Sequence, residues 1–167
     1  SGETGTRGTW TGRLGASMGR DGWDGSLGIS STYSDSWSAF SEARGATERD
    51  PYGKYALSTR VGGALLGRLD LTGRYTRSRT SLDGYDAYYQ LEDQPGHEQR
   101  REQTQLSLTH KSRPIRFVRQ TLHAGGGEEI YADTDGFEWS VRNIQASLQE
   151  ELNHGAWAEA WGLEIIQ

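Results

Sequence analysis

The stretch Leu69-Asp-Leu-Thr-Gly-Arg-Tyr75 decides the fold class of this chain. Its odd-numbered positions hold Leu, Leu, Gly and Tyr, and its even-numbered positions hold Asp, Thr and Arg. Successive side chains of a β-strand point to opposite faces of a sheet, so this period of two predicts a strand with one apolar and one wet face. The strand leads into an acidic, tyrosine-rich stretch at 81–93, which is typical of a long polar loop.

The same unit, an alternating strand followed by a polar connection, recurs along the chain, and it predicts about eight strands. The predicted strands cover residues 10–18, 23–33, 55–61, 68–77, 103–108, 115–124, 144–148 and 156–165. The sixth keeps its alternation only if it contains a β-bulge. Short turns are predicted at 20–22, 62–67, 111–114 and 153–155, and long loops at 34–54, 78–102 and 125–138. Short and long connections therefore alternate along the chain, which places every long loop at the same end of the predicted sheet.

Composition supports strands that are wet on one side. Only 33% of the 167 residues are apolar and the mean hydropathy is −0.80, which is low for a water-soluble globule. The 6 Trp and 8 Tyr, with only 3 Pro, argue against disorder. The net charge of −5 argues against a nucleic-acid partner, because binding to the phosphate backbone requires a basic surface.

These patterns predict an all-β fold, an antiparallel transmembrane-type β-barrel of about eight strands in meander order. The length fits a single domain over 1–167. Such barrels have short turns at one end, long loops at the other, and aromatic girdles near the strand ends. Six aromatic residues lie at suitable positions: Trp10, Trp23, Tyr33, Tyr55, Tyr75 and Trp157. A soluble β-sandwich, with those aromatic residues in an ordinary core, is the alternative that alternation alone leaves open.

Three segments resemble the barrel of TonB-dependent outer-membrane receptors, in particular the cobalamin transporters. They are Glu48-Arg-Asp-Pro-Tyr-Gly-Lys-Tyr-Ala-Leu-Ser-Thr-Arg-Val-Gly62, Leu71-Thr-Gly-Arg-Tyr-Thr-Arg-Ser-Arg79 and Gly84-Tyr-Asp-Ala-Tyr-Tyr89. The resemblance covers the first part of the barrel, roughly a third of a 22-stranded receptor. The family's plug domain and energy-coupling box are not visible in this sequence.

The resemblance implies a protein of the bacterial outer membrane that contacts its lipid. No nucleophile elbow or paired catalytic motif is visible in the sequence, so no enzymatic activity is expected. Long outer loops would bind cobalamin or another metal chelate, such as a siderophore, for uptake. Coupling to an inner-membrane energy partner would require the plug domain. A small closed eight-stranded barrel with a structural or scaffold role, natural or engineered, is the second hypothesis, because the chain length suits such a barrel.

The resemblance also implies a calcium site in the outer loops, with Glu48 and Asp50 as one ligand pair, Tyr85 and Asp86 as another, and Asp93 as a further ligand. The family has Asp where this chain has Glu48. Calcium takes six to eight oxygen ligands, which acidic loops supply. Acidic residues that merely keep the loops solvated are the alternative. The four histidines, His97, His110, His123 and His154, show no metal-ligand spacing to one another and are interpreted as scattered polar positions.

Overall fold

The computed structural model of the chain describes residues 1–4, 8–35, 50–81, 84–85, 91–92, 96–155 and 157–167. The described part is built from β-strands, and no helix in it is long and apolar enough to span a membrane. The strands are β1 (Gly2–Thr4), β2 (Trp10–Arg20), β3 (Trp23–Ser34), β4 (Tyr52–Ala64), β5 (Arg68–Ser81), β6 (Gly84–Tyr85), β7 (Leu91–Glu92), β8 (Glu98–Ile115), β9 (Val118–Asp133), β10 (Glu138–His154) and β11 (Trp157–Ile166).

Nine of these strands form one antiparallel sheet in the order β1-β2-β3-β4-β5-β8-β9-β10-β11. Strands β6 and β7 pair separately as a small hairpin between β5 and β8. Each strand of the large sheet therefore pairs with its neighbours along the chain, which confirms the predicted all-β antiparallel meander. Eight strands were predicted, and the ninth is the three-residue β1 on the outer edge of β2. Within the described residues, no backbone hydrogen bonds join the two edges of the sheet into a closed barrel.

Two predicted connections are wrong. The turn expected at 111–114 lies inside β8, and the chain reverses at Arg116 and Phe117 instead. The long loop expected at 125–138 is mostly strand, because β9 continues to Asp133 and only 134–137 form a turn. The predicted β-bulge exists, but the irregularity falls at Ser112 and Ile115, just before the turn, rather than inside the sixth predicted strand.

The three glycines at 125–127 explain why the long loop was expected and why a strand forms. In the ladder they pair with Ser107, Leu106 and Gln105 of β8. A Cβ on Gly127 would lie 2.6 Å from the carbonyl oxygen of Thr104, and a Cβ on Gly126 would lie 2.8 Å from that of Asn143. Glycine here lets neighbouring backbones approach closely, a use of glycine in strands that resembles a loop signal in sequence.

The sheet has no apolar core of its own. No hydrophobic side chain in the described part of the chain is buried, and the buried polar side chains are Asp50 and Ser81. Many large apolar side chains are exposed, including Leu14 at 75% and Met18 at 79%. An apolar surface of this extent is unusual on a soluble monomer and marks a surface for interaction with protein or lipid.

We predict that replacing Gly127 with Ala destabilises the sheet by about 1–3 kcal/mol, because the new methyl group overlaps a backbone oxygen that cannot move freely. Gly53→Ala in β4 is the matched control, since a Cβ there meets nothing within 4 Å. The free energy of unfolding, measured by denaturant titration of the strand signal in circular dichroism, should fall for Gly127→Ala alone. Equal stability of both variants would mean that 125–127 form the loop expected from sequence.

Candidate functional site

One face of the sheet carries a continuous apolar row. Residues paired directly across antiparallel strands lie on the same face, so a row can be followed from strand to strand. One such row is Met18, Gly25, Val61, Leu71, Leu108, Ala124, Ala146 and Ile165, from β2 to β11. Every member is apolar or glycine. We call the side of the sheet that carries this row the apolar face.

The opposite side, which we call the polar face, differs completely. The row next to it starts at Gly19, one residue after Met18 in β2. It consists of Gly19, Asp24, Gly62, Asp70, Thr109, His123, Ser147 and Glu164. This row has no apolar side chain. The period of two that the sequence shows in single strands is thus kept in phase across eight strands, which gives the sheet two chemically distinct surfaces.

The apolar residues form a band that runs obliquely to the strand ladder. The row that starts with Leu14, Ile29, Leu57 and Tyr75 ends with Thr104, Glu128 and Arg142. A row six residues further along β2 starts with Arg20, but from Trp23 of β3 to Leu163 of β11 its members are apolar or glycine, apart from His110.

The edge of the band on the Leu14 side therefore moves by roughly one residue for each strand crossed, and the edge on the Arg20 side moves less. With about 3.3 Å per residue and about 4.8 Å between strands, this drift corresponds to strands inclined by about 35° to the normal of the band.

Four charged side chains form a network on the polar face near the turn end of β3, β4 and β5. Arg60 Nη2 donates to Asp70 Oδ1 at 2.6 Å, and Arg68 Nε donates to Asp70 Oδ2 at 3.1 Å. Arg68 also donates to Asp24, whose carboxylate lies 3.3 Å from Arg60 Nη1. The two arginines and the two aspartates neutralise one another, and the pairing ties three neighbouring strands together.

Beyond this network the polar face forms an open hollow of about 470 Å³. Its polar lining includes Arg60, Arg74, Gln105, Asn143 and Gln145. His123 also lines the hollow, with Nδ1 at 3.1 Å from Thr109 Oγ1 and Nε2 at 3.2 Å from Gln145 Nε2. Because Arg60 is already paired with the network aspartates, the hollow offers hydrogen-bonding groups and the charge of Arg74, which suit water or a polar solute rather than an apolar ligand.

At the end of the sheet that carries the long connecting segments, three aromatic rings meet beside an acidic turn. Tyr131 stacks on Trp139 with ring centroids 5.8 Å apart and meets Phe137 edge-on at 6.2 Å. Burial and, second, the carboxylate of Asp133 raise the pKa of the Tyr131 hydroxyl above its ordinary value of 10.0. The phenol therefore stays protonated at physiological pH and offers a donor at this end of the sheet.

The predicted calcium ligands are only partly visible. Glu48, Asp86 and Asp93 lie outside the described residues, and Tyr85 is placed in β6 by its backbone alone. Asp50 is the described member, and its side chain is 6% exposed at the start of β4. Ser81, at the end of β5, donates its backbone N–H to the carbonyl of Pro51 at 3.1 Å, so the ends of these two strands are held together there.

The sequence analysis did not predict a cluster of one histidine and two aspartates where β8 begins and β9 ends. His97 lies between the carboxylates of Asp133 and Asp135, which are 36 and 38 positions away in the chain. The Asp133-Thr-Asp135 sequence was visible, but only the pairing of β8 with β9 brings His97 to it. The interpretation of the histidines as scattered polar positions therefore misses this contact for His97.

Comparison with protein-family models, with characterised proteins and with solved structures gave no match.

We predict that Asp70→Asn lowers the free energy of unfolding by about 1–2 kcal/mol, because Arg60 and Arg68 lose the charge of their shared acceptor. Asp21→Asn is the matched control. Asp21 pairs with Arg20 in a turn where both side chains are more than 80% exposed, and we expect no measurable change there. Denaturant titration of the two variants tests this, and equal losses would contradict a stabilising network.

Proposed function

We propose that this sheet is part of the wall of an outer-membrane β-barrel of the TonB-dependent receptor type, which binds and takes up cobalamin or a similar metal chelate. The oblique apolar band carries this proposal. Strands of outer-membrane barrels are tilted by about 35–45°, so a level lipid layer must cross their hydrogen-bond register at that angle. The drift of the band across eight strands agrees with this tilt.

The two faces fit the two environments of a barrel wall. The apolar face, on which Leu57 is 40% exposed and Leu163 is 64% exposed, would contact lipid acyl chains. The polar face, with its charge network and hollow, would line the interior. A soluble sandwich would cover its apolar face with a second sheet of the same chain, and the described strands form one large sheet and one two-residue hairpin.

The ligand would be captured at the end where β4 begins, β5 ends and β8 begins, because the two longest connections of the chain start or finish at these strand ends. The resemblance of 48–62 and 84–89 to cobalamin transporters is the support for a corrinoid, with another metal chelate such as a siderophore as the alternative ligand. Calcium bound by Glu48, Asp50, Tyr85, Asp86 and Asp93 would order these segments over the ligand. Release into the cell would depend on a plug domain and an inner-membrane energy partner.

The small closed barrel stays a second candidate, because eight long strands alternate in direction and leave β11 antiparallel to β2. Strand β1 occupies part of the outer edge of β2 and would have to move for β11 to pair there along its whole length. A heat-modifiable band on a gel run from detergent would support closure by these strands alone. Aggregation without such a band would favour the receptor wall, which needs further strands.

We predict that lipid acyl chains contact Trp161 and not Trp139. Trp161 lies on the apolar face and is 51% exposed, whereas Trp139 is stacked on Tyr131 at the start of β10. Two variants, each keeping one of these tryptophans and replacing the other five with Phe, would be folded into vesicles with brominated acyl chains. Bromine should quench Trp161 several-fold more strongly than Trp139. Equal quenching, or a chain that stays soluble and monomeric without lipid, would contradict the membrane proposal.

We predict that millimolar calcium slows proteolytic cleavage within 42–50 and 82–93, because ion binding joins the two segments. The Glu48→Gln, Asp86→Asn double variant should lose this protection while its strands stay resistant. Cleavage products are identified by mass spectrometry. If calcium leaves both cleavage rates of the original chain unchanged, the proposed calcium site is wrong.

A further inference from the structure

We propose that His97, Asp133 and Asp135 bind a first-row divalent transition-metal ion, with Zn²⁺ as the reference ion. This site is distinct from the calcium ligands inferred from the resemblance and shares no residue with them. It lies at the junction of β8, β9 and the turn that follows β9. One imidazole and two carboxylates form a donor set that such ions accept readily.

The distances fit shared coordination. His97 Nε2 lies 3.3 Å from Asp133 Oδ2, whereas Asp135 Oδ2 lies 3.6 Å from the other ring nitrogen, Nδ1. Because one imidazole binds an ion through one nitrogen, Asp135 has to rotate to join an ion held by Nε2 and Asp133. Two donors bound to one tetrahedral zinc ion at about 2.0–2.1 Å are separated by about 3.3 Å, the distance seen for the first pair. One donor atom from each of the three residues lies within 4.8 Å of the others. Asp135 is 76% exposed and has room to rotate inward and complete the set.

Two carboxylates share one imidazole at this site. Among the described residues, the ion pairs of Asp133 and Asp135 are with His97 alone, without an Arg or Lys partner. A divalent cation bound between a ring nitrogen and the carboxylate oxygens would bring the positive charge that these two acidic side chains do not receive from a nearby basic side chain.

The backbone around the site is held in place before any ion binds. The Thr134 N–H donates to the carbonyl of Glu98 at 3.1 Å, and the Glu98 N–H donates to Thr134 Oγ1 at 3.1 Å. The turn is closed by the Gly136 N–H on the carbonyl of Asp133 at 3.1 Å, and the Asp135 N–H donates to Asp133 Oδ1 at 3.0 Å. Two of the three side chains, His97 and Asp133, are less than 15% exposed. Binding therefore orders little more than the side chain of Asp135.

The exposed side of the site determines what the metal could do. Three protein ligands leave at least one coordination position for water or for a donor atom of another molecule. The Phe137 ring, 60% exposed, lies in the same turn and would be near that position. A ligand with a metal-binding group and an apolar or aromatic body would suit this combination of ion and ring.

The test is calorimetric titration of Zn²⁺ and, separately, Ca²⁺ into the full chain folded in detergent, with its strand content checked by circular dichroism. Zn²⁺ should bind with one-to-one stoichiometry. His97→Gln and Asp135→Asn should each weaken that binding by more than about tenfold. His110→Gln and Asp21→Asn are controls of the same residue types outside the site and should leave the affinity unchanged.

Two outcomes would overturn this proposal. They are an absence of Zn²⁺ binding below millimolar concentration, and a Zn²⁺ affinity that His97→Gln and Asp135→Asn both leave unchanged. Asp135→Asn keeps the test valid if His97→Gln misfolds, because Asp135 is exposed and its side chain supports no other described group. Ca²⁺ protection of 42–50 and 82–93 is read separately, so failure of one site leaves the other testable.

Discussion

The structure depends on the phase of the side-chain alternation being kept from strand to strand. Backbone hydrogen bonds fix the register of each pair, and a slip by one residue would move a whole strand's apolar set to the other face. In this sheet the register is kept from Met18 in β2 to Ile165 in β11. Because no hydrophobic side chain of the described chain is buried, the segregation of the faces replaces a core as the organising feature.

Sequence predicted the strands whose side chains alternate cleanly and failed where another constraint shaped the sequence. The alternation of β2 to β5 and of β11 gave strands close to those observed. The glycines at 125–127 satisfied close backbone contacts instead, so a strand resembled a loop. Pro114 was interpreted as a turn residue, although it lies in β8 beside the register shift at Ser112 and Ile115. The loop predicted at 125–138 and the turn predicted at 111–114 are both errors about backbone geometry, which is difficult to predict from the types of residue present.

The candidate functional residues could be predicted only where spacing along the chain, without knowledge of the strand pairing, brings them together. Alternation along single strands is enough to predict an apolar face. The oblique course of the apolar band becomes visible only when the paired rows are followed across the sheet. The contact of His97 with Asp133 and Asp135 depends on the pairing of β8 with β9, which spacing along the chain does not reveal. The calcium ligands come from a resemblance, and of the residues it names the structure describes the side chain of Asp50 alone.

The meander topology has a consequence for how the sheet can assemble. Every pair in the large sheet joins strands that follow one another along that sheet, so most steps close a short turn, and the longer connections 35–51 and 82–97 add only a modest entropy cost. Each added hairpin, however, exposes more apolar area without burying it against the hairpins already formed. The sheet therefore gains little stability in water as it lengthens, and its formation would be cooperative with transfer of the apolar face out of water. Local contacts make the chain fast to pair, and the missing interior makes it dependent on its surroundings.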